Sequence, residues 1–201
     1  NNINGSIPES IGNLSNLIVL IIWSTGITGE IPSSIGELTN LNVLTLSENH
    51  SLSGGIPSEI GNLIDLKYLY LHDNHYLNGE IPTEIGNLLN LEVLWLMGNK
   101  FSGEIPSEIG NLESLKDLSI GFNELIGEIP SEIGNLVNLN SLGLGGNDLN
   151  GTIPSNIGNL VNLSSLYLGL NDLSGEIPGN ICEIYPNLSY LNLSYNNLCP
   201  S

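Results

Sequence analysis

Few side chains in this sequence could transfer a proton or hold a metal ion, and the histidines are the most suggestive of them. The three histidines are His50, His72 and His75. His50 and His75 each follow a recurring Asn by one residue, which predicts that their rings are stacked neighbours. With Glu48 and Asp73 they would offer imidazoles and carboxylates to a transition metal. Because a third fixed ligand is missing, we interpret the pair as exposed loop histidines and predict no metal and no cofactor.

No arrangement of residues in the sequence predicts catalysis. A nucleophile, a base and an orienting group are not found together, since each serine near a histidine belongs to a repeated pattern. The phosphate-binding motifs G-x-x-x-x-G-K-[ST] and G-x-G-x-x-G are also missing. We therefore predict that the protein is not an enzyme.

The charge balance excludes two classes of partner. Lys and Arg together number 3 against 21 acidic residues, which gives a net charge of −18. Nucleic acids and anionic membrane surfaces both require clustered basic residues. The longest apolar run, from Leu17 to Trp23, is far shorter than the roughly 20 residues that span a bilayer. We expect no nucleic acid partner and no membrane insertion in this segment.

A repeat of 24 or 25 residues must position any side chains that bind a partner. It is marked by the dipeptide Ile-Pro, which begins at Ile7, Ile31, Ile56, Ile81, Ile105, Ile129, Ile153 and Ile177. In residues 129–149, IPSEIGNLVNLNSLGLGGNDL, alternating leucines predict a short strand with its leucines turned inward. One coil cannot bury its own leucines, so the stacked coils must share a core.

A recurring asparagine marks the bend after each predicted strand. It stands at Asn49, Asn74, Asn99, Asn123, Asn147, Asn171 and Asn196. A buried amide at a bend can satisfy main-chain groups of its own coil and of the neighbouring coil. The sequence therefore predicts an asparagine ladder along the stack.

The segment from Leu77 to Pro82 fits the pattern L-x-G-x-I-P and resembles the plant-type class of leucine-rich repeats. This class includes the ectodomains of plant receptor kinases and the polygalacturonase-inhibiting proteins. The resemblance implies an α/β fold, a right-handed solenoid of about eight coils with a parallel sheet on its concave face. It also implies a second, shorter strand around each Gly-x-Ile-Pro, with 3₁₀ or irregular turns on the convex side. It further implies non-catalytic recognition of a protein, peptide or glycan outside the cell or at its surface.

The N-terminal end of the chain departs from the pattern of this class, whereas the C-terminal end fits it. We expect residues 1–201 to form a single domain without an N-terminal cap, because the chain begins directly in a repeat at Asn2. A first coil whose core edge is uncovered implies truncation or self-association by end-to-end packing. Cys182 and Cys199 lie in the last coil, where a disulfide would close a C-terminal cap of about residues 178–201. A pair of buried free thiols is the alternative.

Sequons for N-glycosylation are consistent with an exported protein. The candidates are Asn4, Asn13, Asn150, Asn162, Asn187 and Asn192. Asn49 also lies in a sequon, but its ladder position predicts that it is buried.

Large side chains at outward strand positions are the candidate ligand-binding residues. They fall in the first four coils and are Trp23, Tyr68, Tyr70, His72, Trp95 and Met97. Clustered exposed aromatic rings are typical of binding hot spots, whereas the later coils present small polar residues. We predict that the concave face of the first four coils binds the ligand. The alternative is that these rings only cover the sheet.

Three other functions remain open from the sequence. The chain would act as an inhibitor of a secreted glycan-degrading hydrolase, or as a structural filament built by end-to-end stacking. A regular column of hydroxyls on the flank would alternatively order water or ice.

Overall fold

The computed structural model describes residues 3–181 and 187–199. In this part of the chain, parallel strands and 3₁₀ helices follow one another in a repeating order. The predicted leucine-rich-repeat solenoid is thereby confirmed.

The main sheet takes one three-residue strand from each of the eight coils, and every neighbouring pair is parallel. Its strands are β2 (Val19–Ile21), β4 (Val43–Thr45), β6 (Tyr68–Tyr70), β8 (Val93–Trp95), β10 (Asp117–Ser119), β12 (Ser141–Gly143), β14 (Ser165–Tyr167) and β16 (Tyr190–Asn192). This sheet is the predicted concave face. Because the register is in step from coil to coil, outward residues stand in straight columns across the strands.

A second parallel sheet contains seven strands. They are β1 (Asn4–Ser6), β3 (Gly26–Gly29), β5 (Ser51–Gly54), β7 (Tyr76–Glu80), β9 (Lys100–Glu104), β11 (Glu124–Glu128) and β13 (Asp148–Asn150). A two-stranded sheet, β15 (Ser174–Glu176) with β17 (Asn197–Cys199), continues it through a bridge between Thr152 and Ser174. The predicted second strands are present, but they are not shorter than the strands of the main sheet. These strands reach five residues because their pairing extends into the L-x-G-x segment.

Seven 3₁₀ helices turn the described chain between the two sheets. They are η1 (Glu9–Asn13), η2 (Ser33–Glu37), η3 (Ser58–Asn62), η4 (Thr83–Asn87), η5 (Ser107–Asn111), η6 (Ser131–Asn135) and η7 (Ser155–Asn159). Each begins directly after the proline of Ile-Pro, which suits this position because proline has a fixed φ and lacks an N–H. The glycine inside each helix is required by space. A Cβ on Gly61 would lie 2.7 Å from the carbonyl oxygen of Glu84 in the next coil.

The core is one continuous cluster of leucine and isoleucine side chains, with Phe101 among them, that runs from Ile7 to Ile181. The central leucine of most main-sheet strands is fully buried, as at Leu69, Leu94 and Leu142. The stack shares this apolar interior, which is why a single coil would not be stable alone.

The predicted asparagine ladder is confirmed, and Asn74 shows how it works. Its Nδ2 donates to the carbonyl oxygens of Leu71 (2.7 Å) in its own coil and of Leu46 (3.0 Å) in the preceding coil. Its Oδ1 accepts the N–H of Asn49 (2.7 Å). The same arrangement recurs at Asn49, Asn99, Asn123, Asn147, Asn171 and Asn196.

The predicted modification sites differ in accessibility. The sequon residue Asn49 is fully buried, as its ladder position predicted. Asn192 is half-buried, whereas the others are exposed: Asn4, Asn13, Asn150, Asn162 and Asn187. Cys199 is exposed at the end of β17, but Cys182 lies outside the described residues, so the disulfide stays a prediction.

No helix in residues 3–181 and 187–199 combines the length and the apolar character needed to cross a bilayer.

Candidate ligand-binding face

The central outward column of the main sheet places two small residues between two large rings. In register across β6 to β14, this column reads Tyr70, Trp95, Ser119, Gly143 and Tyr167. Adjacent strands are about 4.8 Å apart, so Trp95 and Tyr167 are separated by about 14 Å along the sheet. The column therefore has a depression between two aromatic walls.

Four of the predicted residues form an aromatic cluster: Tyr68, Tyr70, His72 and Trp95. Trp95 meets Tyr70 and His72 edge to face, with ring centroids 5.1 and 5.4 Å apart. Tyr70 also meets His72 edge to face at 6.2 Å and stacks with Tyr68 at 6.4 Å. These are favourable geometries for aromatic pairs, so the four rings support one another's positions.

The two other predicted residues, Trp23 and Met97, are not members of this cluster. Trp23 is 55% exposed and follows the end of β2 by two residues. It makes no ring contact with the cluster in the described chain. Met97 lines a pocket together with Trp95, and its sulfur accepts a hydrogen bond from Ser119 Oγ at 3.3 Å.

A pocket of about 350 Å³ adjoins the aromatic cluster on the side of the later coils. Most of its surface is apolar, and its principal lining residues are Trp95, Asp117, Phe122, Gly143, Tyr167 and Leu170. We call it the Gly143 pocket. Of this lining, the sequence predicted only Trp95 and Met97 as binding residues, because the later coils read as small polar residues. The available signal was the pair of small residues Ser119 and Gly143 between two aromatic positions of one column.

The glycine at the floor of this pocket is not required by the fold. A Cβ built on Gly143 meets no atom closer than Ser119 Oγ at 3.4 Å, which is ordinary contact, and its φ is not positive. Gly145 differs, because a Cβ there would lie 2.7 Å from the carbonyl oxygen of Gly169. The bare floor at Gly143 is therefore an open space that a side chain could fill.

Two walls of the pocket carry bulky side chains on strained backbone. Phe122 and Leu170 have φ of 53° and 60°, and both side chains are exposed. Each stands just before a ladder asparagine, where Gly98 and Gly146 serve two other coils. The left-handed region costs a non-glycine residue about 1–2 kcal/mol. The ring of Phe122 lies over Gly146, whose Cβ would be only 2.7 Å from it.

Asp117 is the acidic group of the pocket lining. Burial raises the pKa of Asp117 above its usual value, and the indole of Trp95 acts in the opposite direction. The indole Nε1 of Trp95 is buried. Among the described residues, no acceptor meets the strict geometry of a hydrogen bond to it. Lys116, the next residue in the chain, instead pairs with Glu92 at 2.7 Å, the one ion pair in the described residues.

The histidines do not form a metal site in the described chain. His50 and His75 stack at 4.6 Å with their ring planes 6° apart, which confirms the predicted neighbours. No group of three potential ligands is found among residues 3–181 and 187–199.

The structure also brings His72 Nδ1 within 3.0 Å of Ser47 Oγ, a pair that sequence analysis missed. Ser47 is fully buried and has no access to a substrate, so the contact orients the imidazole. Burial lowers the pKa of His72, although Asp73 and Glu48 partly oppose this.

Comparison with known proteins shows where this fold occurs. The sequence matches the model of a leucine-rich repeat region over residues 41–193. None of the curated protein sequences compared with the chain matches it.

Three solved structures are similar over 98% of the chain. The plant peptide hormone receptor RGFR1, in complex with RGF2, is 39% identical with a TM-score of 0.95. The Arabidopsis receptor kinase HAESA, in complex with the peptide hormone IDA and the co-receptor SERK1, is 35% identical with a TM-score of 0.89. A plant ice-binding protein is 29% identical with a TM-score of 0.74.

The extent of these matches differs. The present chain covers 31% of the RGFR1 chain, 33% of the HAESA chain and 71% of the ice-binding protein. It thus spans about a third of the length of the two receptor chains. The repeat pattern, the two parallel sheets and these similarities agree, and the chain belongs to the plant-type class of leucine-rich repeat proteins.

Proposed function

We propose that this chain is a non-catalytic recognition module, acting outside the cell or at its surface, that binds an extended peptide across the main sheet. The observation that carries this proposal is the continuous surface formed by the aromatic cluster and the Gly143 pocket, which share Trp95. Tyr70 and Trp95 are half-buried, and well-supported, partly exposed aromatic rings beside an apolar pocket are typical of binding hot spots. The similar receptors RGFR1 and HAESA, both solved with peptide ligands, support the choice of a peptide.

The proposed surface overlaps with the one predicted from the sequence and extends beyond it. Tyr70 and Trp95 belong to both, whereas the Gly143 pocket lies on the later coils. A ligand that contacts the whole surface would cross the strands from β6 to β14, and an extended peptide has a suitable shape.

Selection from a display library of random linear peptides tests this proposal. We expect peptides enriched on the wild-type chain to bind Tyr70→Ala and Trp95→Ala at least tenfold more weakly, because hot-spot aromatics often contribute 2 kcal/mol or more to binding. Isothermal titration would measure the affinities. Circular dichroism would verify that each variant keeps its fold.

Tyr76→Ala is the matched control. Tyr76 is an exposed aromatic residue in β7 of the second sheet, near Lys100 and away from the proposed surface. Its replacement should leave binding unchanged. Equal binding by all three variants, or enrichment of no peptide at all, would contradict the proposed function.

A second candidate function is the ordering of water or ice along the flank. One exposed hydroxyl begins each helix from η2 to η7: Ser33, Ser58, Thr83, Ser107, Ser131 and Ser155. The similarity to a plant ice-binding protein favours this candidate. Four of these hydroxyls, however, lie 3.2–3.4 Å from the carboxylate of the following glutamate and donate to it. Because these donors are already occupied, we rank this candidate second and expect no thermal hysteresis in a nanolitre osmometer. A gap between melting and freezing points would reverse the ranking.

A further inference from the structure

The Gly143 pocket has walls that are held in place before any ligand binds. Trp95 is fixed from one side by the edges of Tyr70 and His72. At the other end Tyr167 stacks on Tyr190, with ring centroids 4.4 Å apart and planes at 25°. A volume of about 350 Å³ also falls within the range of typical ligand pockets. The pocket is therefore preorganised and large enough for an aromatic side chain.

The chemistry of the lining selects one kind of occupant. Apart from Asp117, the pocket is lined by apolar, aromatic, glycine and uncharged polar residues. Its apolar surface favours an apolar group, and the two facing rings favour a flat one because aromatic pairs gain from stacked or edge-on contact. Phe122 and Leu170 complete this apolar surface from strained backbone positions that glycine fills in two other coils. The fold alone does not require bulky side chains there.

The charge beside this pocket also indicates what the ligand carries. Asp117 is half-buried, and no described cation pairs with it, because the neighbouring Lys116 is bound to Glu92. A cationic group placed there would meet a carboxylate in a partly desolvated site and the face of Trp95, both of which attract cations. The net charge of −18 would also steer a basic ligand toward the chain.

We infer that the Gly143 pocket accepts an aromatic side chain of the bound peptide, and that Asp117 binds a cationic side chain two positions along the peptide, since alternate side chains of an extended chain share a face. This inference rests on the proposed function, because it names the ligand class for the same surface. The peptides recognised would contain an aromatic residue and, two positions away, arginine or lysine.

Defined peptides test this inference separately from the library selection. Fluorescein-labelled heptapeptides Ser-Gly-X-Gly-Z-Gly-Ser, with Phe or Ala at X and Arg, Gln or Glu at Z, would be titrated by fluorescence anisotropy. We expect the Phe-Arg peptide to bind at least tenfold more tightly than either Ala-Arg or Phe-Glu. Asp117→Asn should remove the preference for Arg over Gln and keep the preference for Phe over Ala. The control Asp148→Asn, an exposed acid in β13, should change neither preference.

Phe122→Gly separates a binding role from a structural one. Glycine relieves the positive φ, so the melting temperature should rise by roughly 2–6 °C. The affinity for the Phe-Arg peptide should nevertheless fall at least fivefold, because one wall of the pocket is lost. Tyr195→Gly is the matched control. Tyr195 has the same conformation (φ 56°) in the last coil and does not line the pocket, so the variant should gain stability without losing affinity.

Two results would overturn the inference. One is equal binding of the Phe-Arg and Phe-Glu peptides, and the other is unchanged affinity in the Phe122→Gly variant. If the library selection still yields peptides that require Tyr70 and Trp95, the proposed function stands without the inference. If it yields none, the proposed function itself fails.

Discussion

Replacement of Asn74 by alanine is expected to lower the free energy of unfolding by about 2–4 kcal/mol. The Asn74 amide is fully buried and bonds three main-chain groups, the carbonyls of Leu46 and Leu71 and the N–H of Asn49. Alanine leaves the N–H of Asn49 without a partner, and a buried unsatisfied group costs about 1–3 kcal/mol. The carbonyls of Leu46 and Leu71 each keep one amide donor, Nδ2 of Asn49 and Nδ2 of Asn99, and each loses a second bond worth about 0.5–1.5 kcal/mol. Water that enters the vacated space would offset part of this loss.

Urea unfolding followed by circular dichroism measures this change, with Asn78→Ala as the control. Asn78 belongs to the same coil but is exposed, and its side chain makes only a local bond to the carbonyl of Tyr76. The control should change the free energy of unfolding by no more than about 0.5 kcal/mol. A loss below about 1 kcal/mol for Asn74→Ala would show that the ladder contributes little to stability.

The ladder also supports the ligand-binding face. Asn74 immediately follows the strained Asp73 (φ 58°), which in turn follows His72 of the aromatic cluster. The N–H of Asp73 bonds the carbonyl of Met97, and the N–H of Glu48 bonds the carbonyl of His72. The chain segment that ends each main-sheet strand is thus fixed by main-chain bonds from one side and by the ladder amide from the other. The rigid edge explains how residues such as Phe122 are held at positive φ while their side chains stay exposed.

Most of the fold was predictable because residues with the same structural role recur at the same position in successive coils. The inward leucines, the ladder asparagines and the stack of His50 on His75 all follow from the period of 24 or 25 residues, and the structure confirms them. The length of the second-sheet strands was not predictable, because it depends on how far neighbouring coils stay in register. That property belongs to the assembled stack.

The candidate site was predictable only in part. A cluster of rings could be recognised from residue types at outward positions, which gave Tyr68, Tyr70 and Trp95. The Gly143 pocket is instead defined by a missing side chain between two large ones, and its walls depend on positive φ angles. Neither feature can be read from a single position, since glycine also occurs in this repeat where the backbone requires it. The space around each glycine in three dimensions was needed to separate the two cases.

Gly143→Phe is expected to weaken the binding of library-selected peptides at least 100-fold, equal to about 2.7 kcal/mol. The new ring would occupy the floor of the pocket between Ser119 and Tyr167, the two residues in register with it. Unlike an alanine substitution at Trp95, this change removes no existing contact. A loss of binding would therefore show that the ligand needs the open space at Gly143. Because the Cβ fits without a clash and β-strands favour phenylalanine over glycine, the free energy of unfolding should stay within about 1 kcal/mol of the wild-type value.

Gly55→Phe provides the matched control for this last variant. A Cβ on Gly55 would meet no atom closer than the carbonyl oxygen of Asn78 at 3.5 Å, its φ is not positive, and it lies away from the Gly143 pocket. The same substitution there adds an identical side chain to an equally permissive site, so it should leave affinity unchanged. Titration of both variants with the same peptides then isolates the effect of the pocket from that of added hydrophobic surface. If Gly143→Phe binds the peptides as tightly as Gly55→Phe does, the ligand does not enter the pocket, and the aromatic cluster alone would carry recognition.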